Sequence, residues 1–337
     1  MTSEHQRATD SVTLKDIYAA AQQIKGTINR TPLDPSPPLS ALVGAEIRLK
    51  MENLQQTGSF KLRGAANVLA NLDAEQRRAG VIAPTAGNHG LGLAYAGQVA
   101  GIPVTIFLPR AADPMKVAAM KGCGARITFF DDIEEARQAA IAAAQQSGAT
   151  FVSAYDNPHM IAGGGTVGLE IMEDWMDAEI ILVNIGGGGL ISGIATAAKA
   201  INPAFEVWGI QSEASPTFAR WKEAGEAIPV DLAPSIAEGV SGYIEPSAMT
   251  WPLVRDRVDR VLTVSEDEIK AAMLSMLDLH RYVVEPSGVP AVAGALRYAK
   301  EIGGRKTVCV ITGRNISSQR YLTLLNDVAT LPPTSQF

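Results

Sequence analysis

The chain has few cysteines, two in 337 residues. Cys123 and Cys309 show no metal-type spacing and stand in no secretory context, so both read as free thiols. It also has no lysine or arginine run: 29 basic against 35 acidic residues leave a net charge of -6. Without a basic footprint for a phosphate backbone, no nucleic-acid partner is expected. Long hydrophobic runs are missing too. The longest, such as IILVNI at 180–185, are strand-sized and far short of the ~20 residues that cross a bilayer, so no membrane association is expected. The opening stretch MTSEHQRATDSVTLKD is charged throughout and lacks the apolar segment of a secretory signal, and the expected location is cytoplasmic. No internal repeat, low-complexity tract or Pro/Ser-rich linker divides the chain.

Hydrophobic residues make up 47% and charged residues 19%, enough to bury a sizeable core. Short β-branched runs alternate with longer Ala-rich segments of helical period, the pattern of an α/β protein with a largely parallel sheet. VTIFLP near residue 104 predicts a strand, DPMKVAAMKGCG a glycine-ended helix, RITFF a strand and DIEEARQAAIAAAQQSG a second glycine-ended helix. A second series starts at IILVNI, continues through the helix LISGIATAAKAI to the strand EVWGIQ, and ends near the buried strand TVCVIT. SEDE at 265–268 predicts a capping box, because Ser265 and Glu268 can each satisfy a free backbone donor. Two lobes sharing a cleft fit this order better than two tethered domains.

Three glycine-rich stretches point to chemistry. GGGG at 186–189 lies between a predicted strand and a predicted helix, where backbone N–H groups and the helix dipole hold a phosphate. The alternative is a tight turn, which needs only one glycine or two. No GK[ST] follows, which argues against a nucleotide P-loop. GGGTVG at 163–168 matches the dinucleotide pattern G-x-G-x-x-G, but the preceding YDNPHMIA reads as a loop where the fingerprint requires a strand. In PTAGNHG at 84–90, Asn88 and His89 stand at the C-terminal end of the strand GVIA, where open α/β sheets place ligands. His89 taken alone reads as a hydrogen-bonded structural histidine. Lys61, in GSFKLRGAANVL at 58–69, precedes a predicted helix and by itself reads as a solvated charge.

Taken together, GSFKLRGA, TAGNHG, GGGGLISG, EPSG at 285–288 and TGRN at 312–315 occur in one order and spacing. In that order the chain resembles the fold type II pyridoxal-phosphate enzymes, in the branch of threonine and serine dehydratases and serine racemase, from about Thr13 to about Leu325. The resemblance implies a fold like that of the tryptophan synthase β subunit, with two lobes of mostly parallel sheet flanked by helices and the cofactor, pyridoxal 5'-phosphate, in the cleft. The expected boundaries are a large domain of residues 1–75 and 153–325, a small domain of 76–152 and a tail of 326–337. It implies that Lys61 forms the Schiff base, Phe60 packs at the ring and Asn88 bonds the phenolic oxygen. The backbone of Gly186, Gly187, Gly188, Gly189 and Leu190 takes the phosphate, Thr312 meets the pyridine nitrogen, and Gly239 and Glu285 complete the cofactor set. Ser59, Thr85, Ala86, Gly87, Asn88 and His89 are the implied substrate contacts. A homodimer is the implied assembly.

The departures shape the expected reaction, a β-elimination that converts a β-hydroxy amino acid such as threonine or serine into a 2-oxo acid and ammonia. Where the racemase carries a serine that exchanges a proton, this chain has Ala86, which disfavours two-base racemisation. Racemisation stays as the alternative, as does a specialised dehydratase for phenylserine, 3-hydroxyaspartate or a hydroxyectoine-derived intermediate. Relatives bind a divalent cation through positions whose counterparts here are Gln211, Ser215 and Thr217, with Glu213 nearby. Hard cations favour carboxylates, so no metal is expected. Arg314 replaces the family's usual glycine and either meets an extra anionic or polar group on the substrate or, equally, points to solvent or pairs with an acid such as Glu285.

Overall fold

The computed structural model describes residues 12–85, 87–326 and 328. Its ten strands are β1 (Leu33–Pro35), β2 (Ile47–Met51), β3 (Val81–Pro84), β4 (Val104–Pro109), β5 (Arg126–Phe130), β6 (Thr150–Phe151), β7 (Ile180–Asn184), β8 (Glu206–Ser212), β9 (Arg260–Val264) and β10 (Thr307–Ile311). They form two sheets, one in each of two compact units.

The first unit comprises the described chain through Arg30, Gln55–Glu170 and Gly187–Ala200. Its sheet, in the order β5-β4-β3-β6, is parallel throughout. Val81, Ala83, Val104, Ile106 and Leu108 pack with Leu62, Val68, Leu93 and Ala96 from helices Lys61–Ala70 and Asn88–Ala100. Ile82 and Phe107 point the other way, onto Ala136, Ala140 and Ala144 of the helix Ile133–Ser147. That helix starts where Asp132 accepts from the Glu135 amide and stops at the left-handed Gly148, the glycine-ended helix expected from the sequence.

The second unit comprises Thr31–Leu54, Ile171–Gly186 and the chain from Ile201 onward. Its sheet runs β1-β2-β10-β7-β8-β9, parallel except for β1 on β2. β7 and β10 are buried along their whole length, which is why IILVN and TVCVI read as unbroken apolar runs. The capping box at Ser265 and Glu268 is present and opens the helix Glu266–His280. β1, β2, β6 and β9 gave no distinct signal in the sequence. The expected domain boundaries separate the two sheets, whereas the compact units also gather helices Lys61–Ala70, most of Pro158–Asp174 and most of Gly189–Ile201 with the four-stranded sheet. Of the expected tail, only Asn326 and Val328 are described.

One local expectation is corrected. The stretch YDNPHMIA is a loop only as far as Asn157. Pro158 opens a helix that continues to Asp174, so GGGTVG lies inside it. Asn157 accepts from the amides of His159 and Met160, which supports a proline at the first helical position. A Cβ on Gly163 would come within 2.6 Å of the Arg63 carbonyl oxygen, and one on Gly168 within 2.9 Å of the Ile194 Cα. These glycines therefore serve close helix packing and bind no dinucleotide phosphate, although glycine costs about 1 kcal/mol in a helix interior.

In the first unit, Arg63 is fully buried, and its Nη1 and Nη2 donate to the two carboxylate oxygens of Glu170 at 2.7 and 2.9 Å. Nη1 also donates to Thr166 Oγ1 at 3.1 Å. Replacing Glu170 with alanine is expected to leave Arg63 without its counter-charge and to lower stability by about 3–5 kcal/mol. Urea unfolding checks this, and an unchanged midpoint would contradict it.

Candidate active site

In the first unit, a short run after β6 gathers several of the expected residues. Lys61 is the first residue of the helix Lys61–Ala70, following Ser59 and Phe60. Its Nζ donates to the Ala154 carbonyl at 2.8 Å and lies 5.1 Å from the centre of the Phe60 ring. Burial brings the Lys61 pKa down from 10.5 to about 8, because no carboxylate offsets the loss of water around the charge. A lysine in this state is no solvated surface charge.

Two residues earlier in the run, the Val152 carbonyl holds His89, whose Nε2 donates to it at 3.2 Å. Burial, then the Lys61 charge, brings the His89 pKa down to about 3. His89 is therefore neutral at ordinary pH. With its proton on Nε2, its Nδ1 is left as a buried acceptor that has no protein partner among the described residues. The expectation of a structural, hydrogen-bonded histidine holds for Nε2, and Nδ1 keeps a polar face for a ligand. His89 follows Asn88, the first residue of the helix Asn88–Ala100, and Gly87 precedes it. Gly92 of the same helix lies against the backbone of Lys61 and Leu62, where a Cβ would come within 3.2 Å. Thr85 Oγ1 accepts from the Gly87 amide at 3.2 Å. Ala86 lies outside the described residues.

Tyr155, next in the run, explains the glycines after β7. A Cβ on Gly187 would come within 2.2 Å of the Tyr155 Cγ, and one on Gly189 within 3.1 Å of the Tyr155 Cα. Gly188 has a φ of +86°, a conformation that favours glycine. Gly189 then opens the helix Gly189–Ile201, followed by the buried Leu190. Glycine at these positions lets Tyr155 pack against the loop, which leads into a helix start, the kind of position where backbone N–H groups can receive a phosphate.

The second unit holds the other expected residues. A Cβ on Gly186 would come within 2.9 Å of the Val240 Cα. Gly239 donates its amide to Ser287 Oγ at 2.8 Å. Glu285 is buried, and its amide donates to the Gly313 carbonyl at 3.1 Å. Thr312 is buried, and its hydroxyl donates to the Ser287 carbonyl at 3.1 Å. Arg314 is exposed and makes no ion pair with Glu285 or with any other described residue. Val152, Ala154, Tyr155 and Asn184 were not identified from the sequence.

Two of the three positions weighed for a cation, Gln211 and Ser215, are engaged within the protein, as is the nearby Glu213. Gln211 Oε1 accepts from the Ala219 amide at 2.9 Å, Ser215 Oγ from the Gly242 amide at 3.3 Å, and Glu213 pairs with Arg297 at 2.6 Å. Among the described residues, no group of three His, Cys, Asp or Glu side chains could hold a metal ion. Cys309 is a buried free thiol, pushed up to about 12 by that burial, and Cys123 is a free, half-buried one. No helix among the described residues is long and apolar enough to cross a membrane.

The chain is similar to several known proteins. The pyridoxal-phosphate dependent enzyme family matches residues 24–313. An L-threonine ammonia-lyase of Thermotoga maritima is 42% identical over 94% of this chain and 78% of its own length. An L-threo-3-hydroxyaspartate ammonia-lyase of a Pseudomonas species is 37% identical over 92% of this chain and 97% of its own. Maize serine racemase superposes with a TM-score of 0.89 at 33% identity, covering 94% of this chain and 97% of the racemase. The chain belongs to the pyridoxal-phosphate-dependent enzymes, with fold type II architecture. Its cofactor is pyridoxal phosphate.

The residues present fit that cofactor. The glycine loop leads into a helix start with Gly188 at a positive φ, Lys61 is a desolvated amine, and the buried Ser59 hydroxyl has no protein partner among the described residues. Since only the neutral amine attacks an aldehyde, incorporation of pyridoxal phosphate into apoprotein is expected to accelerate about tenfold per pH unit below the Lys61 pKa and to level off above it. Stopped-flow absorbance should place the midpoint near 8, and a midpoint near the free-lysine value of 10.5 would contradict the burial account.

Proposed function

We propose that this chain is an ammonia-lyase that removes water and then ammonia from a β-hydroxy amino acid, with threonine and serine as the first substrates to test. The observation that carries this is the Lys61 amine, desolvated beside the Ala154 carbonyl. The two ammonia-lyase relatives support the reaction class. When bound, pyridoxal phosphate supplies the electron sink that makes the Cα proton of an amino acid removable.

Lys61 would anchor the cofactor, and its neutral Nζ would take up the Cα proton of the substrate. Asn88 would hold the phenolic oxygen, with Phe60 at the ring and Thr312 at the pyridine nitrogen. The backbone from Gly186 to Leu190 would hold the phosphate, with Gly239 and Glu285 completing the set. Ser59, Thr85, Gly87 and Asn88 orient the substrate carboxylate, with neutral His89 as an acceptor beside them. The β-hydroxyl leaves as water, and the released enamine tautomerises and hydrolyses to a 2-oxo acid and ammonia. Ala86 has no proton to exchange, which favours elimination over racemisation. The reading carries with it a cytoplasmic homodimer, which sedimentation velocity tests.

The free guanidinium of Arg314, two residues after Thr312, favours a narrower substrate reading, in which a distal carboxylate such as that of 3-hydroxyaspartate is bound.

Purified protein is expected to be yellow and to release a 2-oxo acid from one of threonine, serine, phenylserine or 3-hydroxyaspartate. A colourless protein that the cofactor cannot reconstitute overturns the reading. Lys61→Ala should lose the visible band and at least about 100-fold in turnover. Arg314→Gly should lower kcat/KM for 3-hydroxyaspartate at least about tenfold more than for threonine. Equal losses would remove Arg314 from substrate recognition.

A further inference from the structure

Asn184 ends β7 and is 4% exposed. Its Oδ1 accepts the Ala291 amide at 2.6 Å. A backbone N–H can only donate, so the orientation of the side-chain amide is fixed and Nδ2 must lie on the other side. There Nδ2 is 3.0 Å from the Ser287 carbonyl and 3.1 Å from Thr312 Oγ1. An amide nitrogen donates and does not accept, so Thr312 is the acceptor in that pair.

A hydroxyl has two lone pairs and one proton. With one lone pair engaged by Asn184, the Thr312 proton rests on the Ser287 carbonyl at 3.1 Å. That carbonyl also receives Asn184, so it keeps a donor when Thr312 turns its proton elsewhere. Accepting from Asn184 polarises the hydroxyl, making it a better donor and a poorer acceptor. None of the four groups, Asn184, Ser287, Ala291 and Thr312, carries charge in these bonds, so they themselves offer no counter-charge to a protonated ring nitrogen.

We propose that Asn184 is a positioning residue that fixes the Thr312 hydroxyl as a hydrogen-bond donor to the pyridine nitrogen and so keeps that nitrogen unprotonated. This rests on Thr312 being the partner of that nitrogen. The consequence is chemical. A neutral ring withdraws electrons less strongly than a protonated one, which favours prompt departure of a β-substituent over prolonged storage of charge.

The test loads wild type, Asn184→Ala, Asn184→Asp and Thr312→Val with pyridoxal phosphate labelled at the ring with nitrogen-15. It reads the ring-nitrogen chemical shift and the cofactor affinity. Wild type is expected in the unprotonated, hydrogen-bonded range. Asn184→Asp keeps an acceptor for Ala291 but takes the Thr312 proton, and should move the resonance toward the protonated range. Asn184→Ala decides the matter if the aspartate variant does not fold. It should move the resonance toward that of a pyridine without a hydrogen bond and weaken cofactor binding about five- to tenfold. A merely structural role would weaken binding without moving the resonance. A protonated wild-type nitrogen overturns the inference, as do Asn184 variants with the wild-type shift while Thr312→Val alters it. A Thr312→Val protein with an unchanged resonance would instead remove Thr312 from the ring nitrogen.

Discussion

The candidate site in the first unit depends on one short run of chain, Val152 to Tyr155, at the end of a strand only two residues long. Its carbonyls and one ring make three separate contacts. Val152 holds His89, Ala154 holds Lys61, and Tyr155 fills the space that side chains on Gly187 and Gly189 would need. β6 is anchored because its partner β3 is buried along most of its length. The amine of Lys61 can therefore lose its water against a carbonyl, which accepts a hydrogen bond and offers no negative charge. Had a carboxylate stood there, the amine would have stayed protonated.

The same helix carries the opposite electrostatic solution two residues on. Arg63 is buried more completely than Lys61, and it meets Glu170 in a two-pronged pair with Thr166 beside it. The guanidinium keeps its proton and fixes the helix, while the ammonium group at the helix start is free to lose its own. The glycines of the helix Pro158–Asp174 make this possible, since Gly163 lets that helix reach the Arg63 backbone.

The sequence made the parts of the site legible where function is written locally. Lys61 between Phe60 and the helix, the glycines after β7 and Thr312 after β10 each sit at the end of a recognisable element. Ser287 lay within a recognised motif, but its bond to Gly239 joins positions 48 residues apart. Asn184 meets partners 103 to 128 residues away, a pairing that local pattern cannot carry. Asn157-Pro158 was misread because the same dipeptide signals a turn or a helix start, and the choice depends on whether the side chain of Asn157 finds the following amides. The strands β1, β6 and β9 were missed because they are short or only partly buried, and β2, IRLKM, because its Arg48 and Lys50 hide a strand that is mostly buried. The helices gathered with the four-stranded sheet are set by close glycine contacts, and those are three-dimensional facts.

The strand order of the second unit also bears on how the chain is made. β10, residues 307–311, lies between β2 and β7, which precede it by more than a hundred residues. During synthesis β2 and β7 each have an edge exposed until residues 307–311 have left the ribosome. The six-stranded sheet is therefore closed by its last strand, a slow long-range step. The Thr312 contacts to Ser287 and Asn184 come with it. A chain stopped short of residue 307 would keep Lys61 and the glycine loop yet lack the central strand of this sheet, so the polar brace of the second unit has to wait for Thr312 to be made.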